Sequence, residues 1–377
     1  MEITPGAQLG TLYPFTRQLL DDSSLSLSYL NPGFTDLEAW KTEARANLRG
    51  LLHYDPPPVA PAPEVVERVQ CRGYVREKLY FNTTSHIRVP AFLLIPDNAP
   101  RPCPGVVGLH DHGAFFAWGK EKIVEVENEH PALTGFKKMG YGGRSWASEL
   151  ARRGYVVLVI DMFYWGERRL VLAEDPPSWR DPEKMTEEEI GAFHRRSGDF
   201  TGRTAVGLFE AGVTWAGVMF MDDYRTMDYL ATRPEVDPDR LGCCGLSVGG
   251  FRSAHLAGLH PRVKAAVVCG WMCSYEAMLK AKLTSIGYWG LIPGLWQYQD
   301  LPDVVSMAAP AGLMCIQGTK DGLFTNEGVQ QAYGKISKVY AKAGVPDRFQ
   351  GVTYDGPHEF NVPMQEKAFD WLDRWLK

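Results

Sequence analysis

Much is scarce in this 377-residue chain, and each scarcity removes a class of function. Basic residues do not outnumber acidic ones: 40 Lys and Arg face 45 Asp and Glu, a net charge of −5, and no basic stripe runs along the chain. Neither nucleic acid nor an anionic membrane is expected as a partner. No apolar run approaches the ~20 residues that span a bilayer. The N-terminus, MEITPGAQLG, has neither the basic start nor the apolar stretch of a secretory signal. Seven cysteines are an odd number without a CxxC pair, and Cys243, Cys244, Cys269 and Cys315 sit inside apolar runs. They read as small buried hydrophobes of a reducing compartment, not as a disulfide framework or a metal clip. There is no internal repeat. A cytoplasmic enzyme acting on a small molecule is the expectation.

What is present is enough for a large core, with 45% apolar and 23% charged residues. Residues 1–64 read as an N-terminal helical arm, with a helix over Asp36 to Leu52, followed by the proline-rich connector DPPPVAPAPE, which fits neither helix nor central strand. The arm is too small for a confident core of its own, and leaves a homodimer through it open. From residue 65 to 377 the pattern changes. Val75 to Phe81 and Ile87 to Ile95 read as paired strands, and after the loop PDNAPRPCP come GVVGLH and GYVVLVID, apolar throughout. Strands apolar on both faces belong to a parallel sheet covered by helices. Strands at 241–246, 263–269, 312–317 and 348–354 alternate with helices at 144–153, 218–231, 249–259, 325–343 and 363–376. That alternation predicts an α/β fold, a mostly parallel doubly wound sheet with an antiparallel start. Two segments break the rhythm, at about 162–212 and 272–310, and read as structureless lid insertions or pocket walls.

Chemistry concentrates at the carboxyl ends of the strands, where open α/β sheets bind ligands. Ser247, in CCGLSVGG, follows one strand and precedes a helix. Such a serine can be an N-cap, or a nucleophile on a tight turn whose neighbouring glycines remove clashing Cβ atoms. Asp321, in CIQGTKDGLF, and His358, in VTYDGPHEF, follow two later strands. Asp355 and Glu276 are alternative acids, and Asp321 could instead cap the helix near Thr325.

These stretches, GVVGLHDHG, YVVLVIDMFYWGERR, DYLATRPEVDPDRLGCCGLSVGG, QGTKDGLF and DGPHEF, carry a resemblance. The chain resembles an α/β-hydrolase of the dienelactone hydrolase and acetyl xylan esterase-like group over about residues 65–377. The order Ser…Asp…His is that of α/β-hydrolases. In dienelactone hydrolases proper the nucleophile is cysteine, so Ser247 favours the esterase side. The resemblance implies a serine carboxylic ester hydrolase working through an acyl-enzyme on small or medium esters, without metal or organic cofactor. Ser247 would be the nucleophile, His358 the base and Asp321 its orienting acid. The oxyanion donors would be the N–H groups of Val248 and His112, with Gly113 close enough to stay in play. Rival readings are a peptidase of the prolyl-oligopeptidase type, a C–C hydrolase with the same triad, and a non-catalytic binding protein.

Three local expectations complete the reading. His110-Asp111-His112 tempts a metal assignment, but the remaining histidines, His53, His86, His130, His194, His255 and His260, lie mostly in apparent helices or loops without ligand spacing, so His110 and Asp111 are expected to hydrogen-bond the backbone of the turn. Glu167 and Arg168 are expected to form an ion pair bracing the first insertion. Among the loop aromatics, Phe115, Trp118, Trp165 and Trp271 are expected to line the substrate pocket, with Phe116 and Trp289 nearby.

Overall fold

A computed structural model describes residues 3–97 and 99–377; Met1, Glu2 and Asn98, the last within the loop expected after the paired strands, lie outside the described residues. Among the described residues nine strands form one sheet: β1 (Glu64–Cys71), β2 (Tyr74–Asn82), β3 (Arg88–Pro96), β4 (Cys103–Leu109), β5 (Val156–Ile160), β6 (Val236–Leu246), β7 (Val263–Cys269), β8 (Gly312–Gly318) and β9 (Phe349–Tyr354). Their order is β1-β2-β3-β5-β4-β6-β7-β8-β9. The first three strands and the β3–β5 pair are antiparallel, and every later pairing is parallel.

Burial explains the apolar runs. Along β5, Val156, Leu158 and Ile160 enter the cluster on one face of the sheet, while Val157 and Val159 enter the cluster on the other. Both faces are covered, so a period-2 alternation of polar and apolar residues has no reason to appear. The helices Val248–Leu259 and Asn326–Lys342 pack into the first cluster, and Trp146–Arg152 and Val362–Leu376 into the second. All seven cysteines are unpaired, and six of them are buried.

The N-terminal residues join the same core. The helix Leu37–Leu51 buries Trp40, Ala44 and Leu48 in the first cluster, and Arg45 donates to the carbonyls of Gly258 and Met307. The helix Tyr13–Asp21 buries no residue.

The insertions differ from the expectation of structureless loops. The first contains a 24-residue helix, Glu187–Glu210, started by a capping box in which Thr186 accepts from the Glu189 N–H and the Glu189 side chain accepts from the Thr186 N–H. The second holds the helices Tyr275–Ala281, Leu295–Tyr298 and Leu301–Ser306. A helix not anticipated, Pro131–Tyr141, starts with proline and ends at Gly142 in a left-handed conformation (φ 63°).

Candidate active site

The site is built from the ends of the parallel strands. After β6 the chain turns through Ser247 at φ 59°, ψ −124°, and enters the helix Val248–Leu259. A non-glycine residue held at positive φ costs of order 1–3 kcal/mol, so surrounding structure must enforce it. The neighbouring glycines show how. A Cβ on Gly245 would sit 2.5 Å from the carbonyl oxygens of Gly249 and Leu109, and one on Gly249 would sit 2.0 Å from the Leu109 oxygen. The strand, corner and helix approach backbone to backbone, leaving room for hydrogen only. Ser247 makes no capping hydrogen bond with its side chain, so the N-cap reading does not describe it.

Asp321 and His358 meet across the loops that follow β8 and β9. Their Nδ1–Oδ2 distance is 2.6 Å, and Asp321 is 7 % exposed. Asp321 Oδ2 also accepts from Gln317 Nε2 at 2.6 Å, and Oδ1 accepts from the Leu323 N–H at 2.9 Å. Gly318 lets the His358 loop close over β8, since its Cβ would lie 2.3 Å from the Pro357 oxygen. Gly270, at φ 63°, lies under the imidazole, 3.0 Å from Cε1 at its missing Cβ. The alternative acids are elsewhere: Asp355 is exposed on Lys320, and Glu276 is exposed on Arg17. Thr325 caps its own helix, so Asp321 is not needed there.

With Nδ1 engaged by Asp321, the other ring nitrogen of His358, Nε2, is buried and has no hydrogen-bond partner among the described residues. Ser247 and His358 line one cleft of about 170 Å³. Its remaining walls are Asp111 and Gly113 from the loop after β4, Leu246, and Phe136, Met139 and Gly140 from the helix Pro131–Tyr141. Larger cavities lie away from Ser247: an apolar one of about 500 Å³ between the first helix and the second insertion, and one of about 690 Å³ around Arg152, Arg153 and Lys377.

The loop after β4 is tightly specified. His110 Nδ1–H donates to the Asp111 carbonyl and its Nε2 accepts from the Met162 N–H, which fixes a neutral ring with both nitrogens satisfied. Burial, reinforced by Lys122, holds its pKa well below the usual histidine range. Asp111 accepts from the Tyr141 hydroxyl at 2.6 Å. His112 Nδ1 accepts from the Ala114 N–H, and burial next to Lys122 lowers the His112 pKa to about 3. The His110 ring hydrogen-bonds backbone at the turn as expected, whereas the Asp111 carboxylate is held by the Tyr141 hydroxyl and not by the turn's backbone.

Two expectations need correction. Glu167 and Arg168 do not pair with each other: Glu167 binds Lys120 and Lys78, while Arg168 binds Asp222. Neighbours in sequence point in different directions, and each found a partner from another element. The loop aromatics are mostly interior rather than pocket wall. Trp118, Trp165 and Trp271 are 2 %, 0 % and 2 % exposed, and none lines the cleft at Ser247. Trp118 Nε1–H donates to Glu183, Trp165 Nε1–H to the His112 carbonyl, and Trp271 packs edge-on to Trp289 and Phe324. Phe115 is half-buried and stacked between Trp118 and Phe136. The walls missed by sequence reading, Phe136 and Met139, sit on the unanticipated helix; its His-Pro start and Gly142 stop were the available signals.

A parallel sheet entered through an antiparallel edge, with a strained serine corner after its central strand, defines an α/β-hydrolase. The chain belongs to the Abhydrolase family, whose model matches residues 12–373. Among particular proteins it is similar to YtaP of Bacillus subtilis, whose name places it only among the hydrolases: 28% identical over 304 residues, covering 80% of this chain and 88% of that one. Similar solved structures include a Bacteroides fragilis protein assigned to the acetyl xylan esterases (TM-score 0.70, 19% identity, 92% of this chain and 84% of that one). A glucuronoyl esterase from Solibacter usitatus is also similar (TM-score 0.60, 14% identity, 92% and 96%).

Proposed function

We propose that this chain is a serine hydrolase that cleaves carboxylic esters through an acyl-enzyme. Ser247 is the nucleophile, His358 the general base and then acid, and Asp321 the group that holds the imidazole tautomer and stabilises the imidazolium. The observation that carries the reading is the state of His358: Nδ1 is taken by Asp321, and Nε2 is buried without a partner in the cleft it shares with Ser247. An imidazole left in that condition is a base waiting for a proton, and the only hydroxyl among the cleft-lining residues is on Ser247.

In the reaction, Ser247 Oγ bonds to the ester carbonyl carbon as His358 Nε2 takes its proton. The carbonyl oxygen becomes an oxyanion, stabilised by the Val248 N–H, which opens a helix and has no intrahelical acceptor, and by the His112 N–H. Collapse expels the alcohol, protonated by His358, and water repeats the sequence on the acyl-enzyme. Phe136 and Met139 with about 170 Å³ of space between them and Ser247 suit a short acyl group. The name of one similar structure, an acetyl xylan esterase, makes acylated carbohydrates the first substrate class to try, and that of the glucuronoyl esterase adds esters of sugar acids.

The test is hydrolysis of p-nitrophenyl esters from acetate to octanoate by wild type and Ser247→Ala, with fluorophosphonate labelling in parallel. The expected result is turnover that falls with chain length and vanishes with labelling in the variant. Labelling at Ser247 without ester turnover would overturn the ester assignment and move peptides and C–C substrates forward. Turnover that survives Ser247→Ala would overturn the nucleophile.

A further inference from the structure

Lys122 is fully buried, yet it is not paired as a buried cation ordinarily is. Its Nζ donates to the carbonyls of Asp111 and His112, each at 3.0 Å, and lies 3.8 Å from Asp111 Oδ2. The ring of Phe136, a wall of the cleft, lies 5.1 Å from the ammonium. Everything Lys122 binds by hydrogen bond therefore belongs to two consecutive peptide units of one loop.

Those units are the ones that matter for the oxyanion. A trans peptide is planar, and its N–H points opposite to its carbonyl. Pinning the Asp111 carbonyl aims the His112 N–H the other way, and pinning the His112 carbonyl does the same for the Gly113 N–H. In an extended chain successive carbonyls point to opposite sides. Here both converge on one ammonium, which requires both N–H groups to share the other side. Among the described residues, neither N–H has an acceptor within the protein. Asp111 and Gly113 line the cleft that contains Ser247. Two successive N–H groups turned to one side form the kind of concavity that binds an anion.

We infer that Lys122 is a positioning residue: its ammonium holds the Asp111 and His112 carbonyls so that the N–H groups of His112 and Gly113 face the oxyanion formed on attack by Ser247. Other groups share the task. His110 Nδ1–H also holds the Asp111 carbonyl, and the Trp165 indole and Phe115 N–H hold that of His112. Among the described residues, Lys122 is the one group that binds both, and it adds a positive charge behind the two dipoles. Its burial gives the same picture from the energetic side, since desolvation, offset only in part by Asp111, lowers its pKa to about 8.

The inference rests on Ser247 being the nucleophile, and the experiment separates the two. Lys122→Met and Lys122→Gln are compared with wild type, with kcat expressed per Ser247 titrated by a fluorophosphonate. The second readout is affinity for a trifluoromethyl ketone, in which Ser247 Oγ bonds to the carbonyl carbon, His358 takes the proton and the oxygen becomes the anion. Lys122→Met is expected to lower kcat about 10²-fold, the loss typical of a misplaced oxyanion donor. KM should stay within about threefold, and the ketone should weaken by the same factor as kcat/KM. Lys122→Gln, which keeps one donor, should fall between. A purely structural role would reduce the titratable fraction and leave kcat per site and ketone affinity unchanged; that result overturns the inference. If neither variant folds, the wild type still decides: the amide proton signals of His112 and Gly113 should shift downfield on formation of the ketone adduct, and unmoved signals overturn it. A wild type that neither labels nor turns over refutes the nucleophile instead.

Discussion

Replacing Asp321 by asparagine should switch the enzyme off without unfolding it, and the hydrogen bonds show why. Asp321 Oδ1 faces the Leu323 N–H at 2.9 Å, while Oδ2 receives His358 and Gln317, each at 2.6 Å. An asparagine amide must put its NH2 on one side. Toward Leu323 it would meet another donor. Toward His358 and Gln317 it has a solution, because Gln317 Oε1 is buried and without a partner. A flip of the Gln317 amide turns that oxygen to accept from the new NH2. The NH2 then also donates to His358 Nδ1, which must give up its proton. The relaxed variant thus carries the imidazole proton on Nε2, the nitrogen left free in the cleft that His358 shares with Ser247, where no base remains. The expected loss in kcat is about 10⁴-fold, ~5.4 kcal/mol of transition-state stabilisation. KM and the melting temperature should change little, since every hydrogen bond is replaced. p-Nitrophenyl acetate turnover and fluorophosphonate labelling should fall together. Asp355→Asn and Glu276→Gln, both in exposed ion pairs, should leave turnover at the wild-type level. A folded Asp321→Asn enzyme within tenfold of wild type would refute the reasoning, as would an equal loss from Asp355→Asn.

Two further outcomes test the corner and the core. Gly249→Ala, whose Cβ would lie 2.0 Å from the Leu109 oxygen, should lose about 1–3 kcal/mol of stability and at least tenfold in kcat, whereas Gly334→Ala, in open space on an exposed helix face, should gain about 0.5–1 kcal/mol; urea unfolding and the ester assay decide, and equal behaviour of the two would contradict the close-approach account. His110 and His255 are 0 % exposed, and burial lowers both pKa values, that of His255 to about 3. Each stays neutral when folded but protonates near pH 6.5 when unfolded, so the unfolded state binds more protons below that pH. Stability present above pH 6.5 is therefore lost as pH falls toward 3, by ~1.4 kcal/mol per unit for each histidine. Urea titrations from pH 7 to 4.5 should show His255→Leu with the shallower dependence, by about that slope; identical slopes would exclude a buried neutral His255.

The parallel sheet was legible because its strands are apolar on both faces, and a run such as VVLVI, short and rich in β-branched residues, fits a doubly covered strand better than a buried helix. Ser247, Asp321 and His358 were legible for a related reason: each follows a strand that could be placed, so the fold itself supplied their proximity. The helix Glu187–Glu210 was not. Its buried positions, Ile190, Phe193, Ser197 and Ala205, are few and partly polar, and Gly191, Gly198, Gly202 and Gly207 punctuate it like a loop. Only its capping box, Thr186 to Glu189, announced a helix. The loop tryptophans misled in the opposite direction. Their position near the catalytic edge suggested pocket walls, but each indole found interior partners from segments far away in sequence, which no local pattern reveals.

Lys120 and Lys122 show most sharply what sequence withholds. GKEKIVEVENEH is dense in charged residues, yet both of its lysines are 0 % exposed. Lys120 meets Asp161 and Glu167 from the loop after β5, whereas Lys122 folds back on Asp111 and His112, earlier in its own β4–β5 connection. Asp161, Glu121 and Glu167 surround Lys120 at 2.9, 2.8 and 2.7 Å. Burial alone would lower its pKa, but those three carboxylates override it and hold the value well above the ordinary range. Two residues on, Lys122 faces two carbonyls and one carboxylate at 3.8 Å, and its pKa moves down instead. The first lysine is compensated and ties its own segment to the loop after β5. The second keeps an under-compensated charge directed at the peptides beside Ser247. An under-compensated buried charge is a standing cost to stability; on the role inferred for Lys122, that cost is tolerable because the same asymmetry would keep two backbone dipoles aimed at the place where negative charge appears.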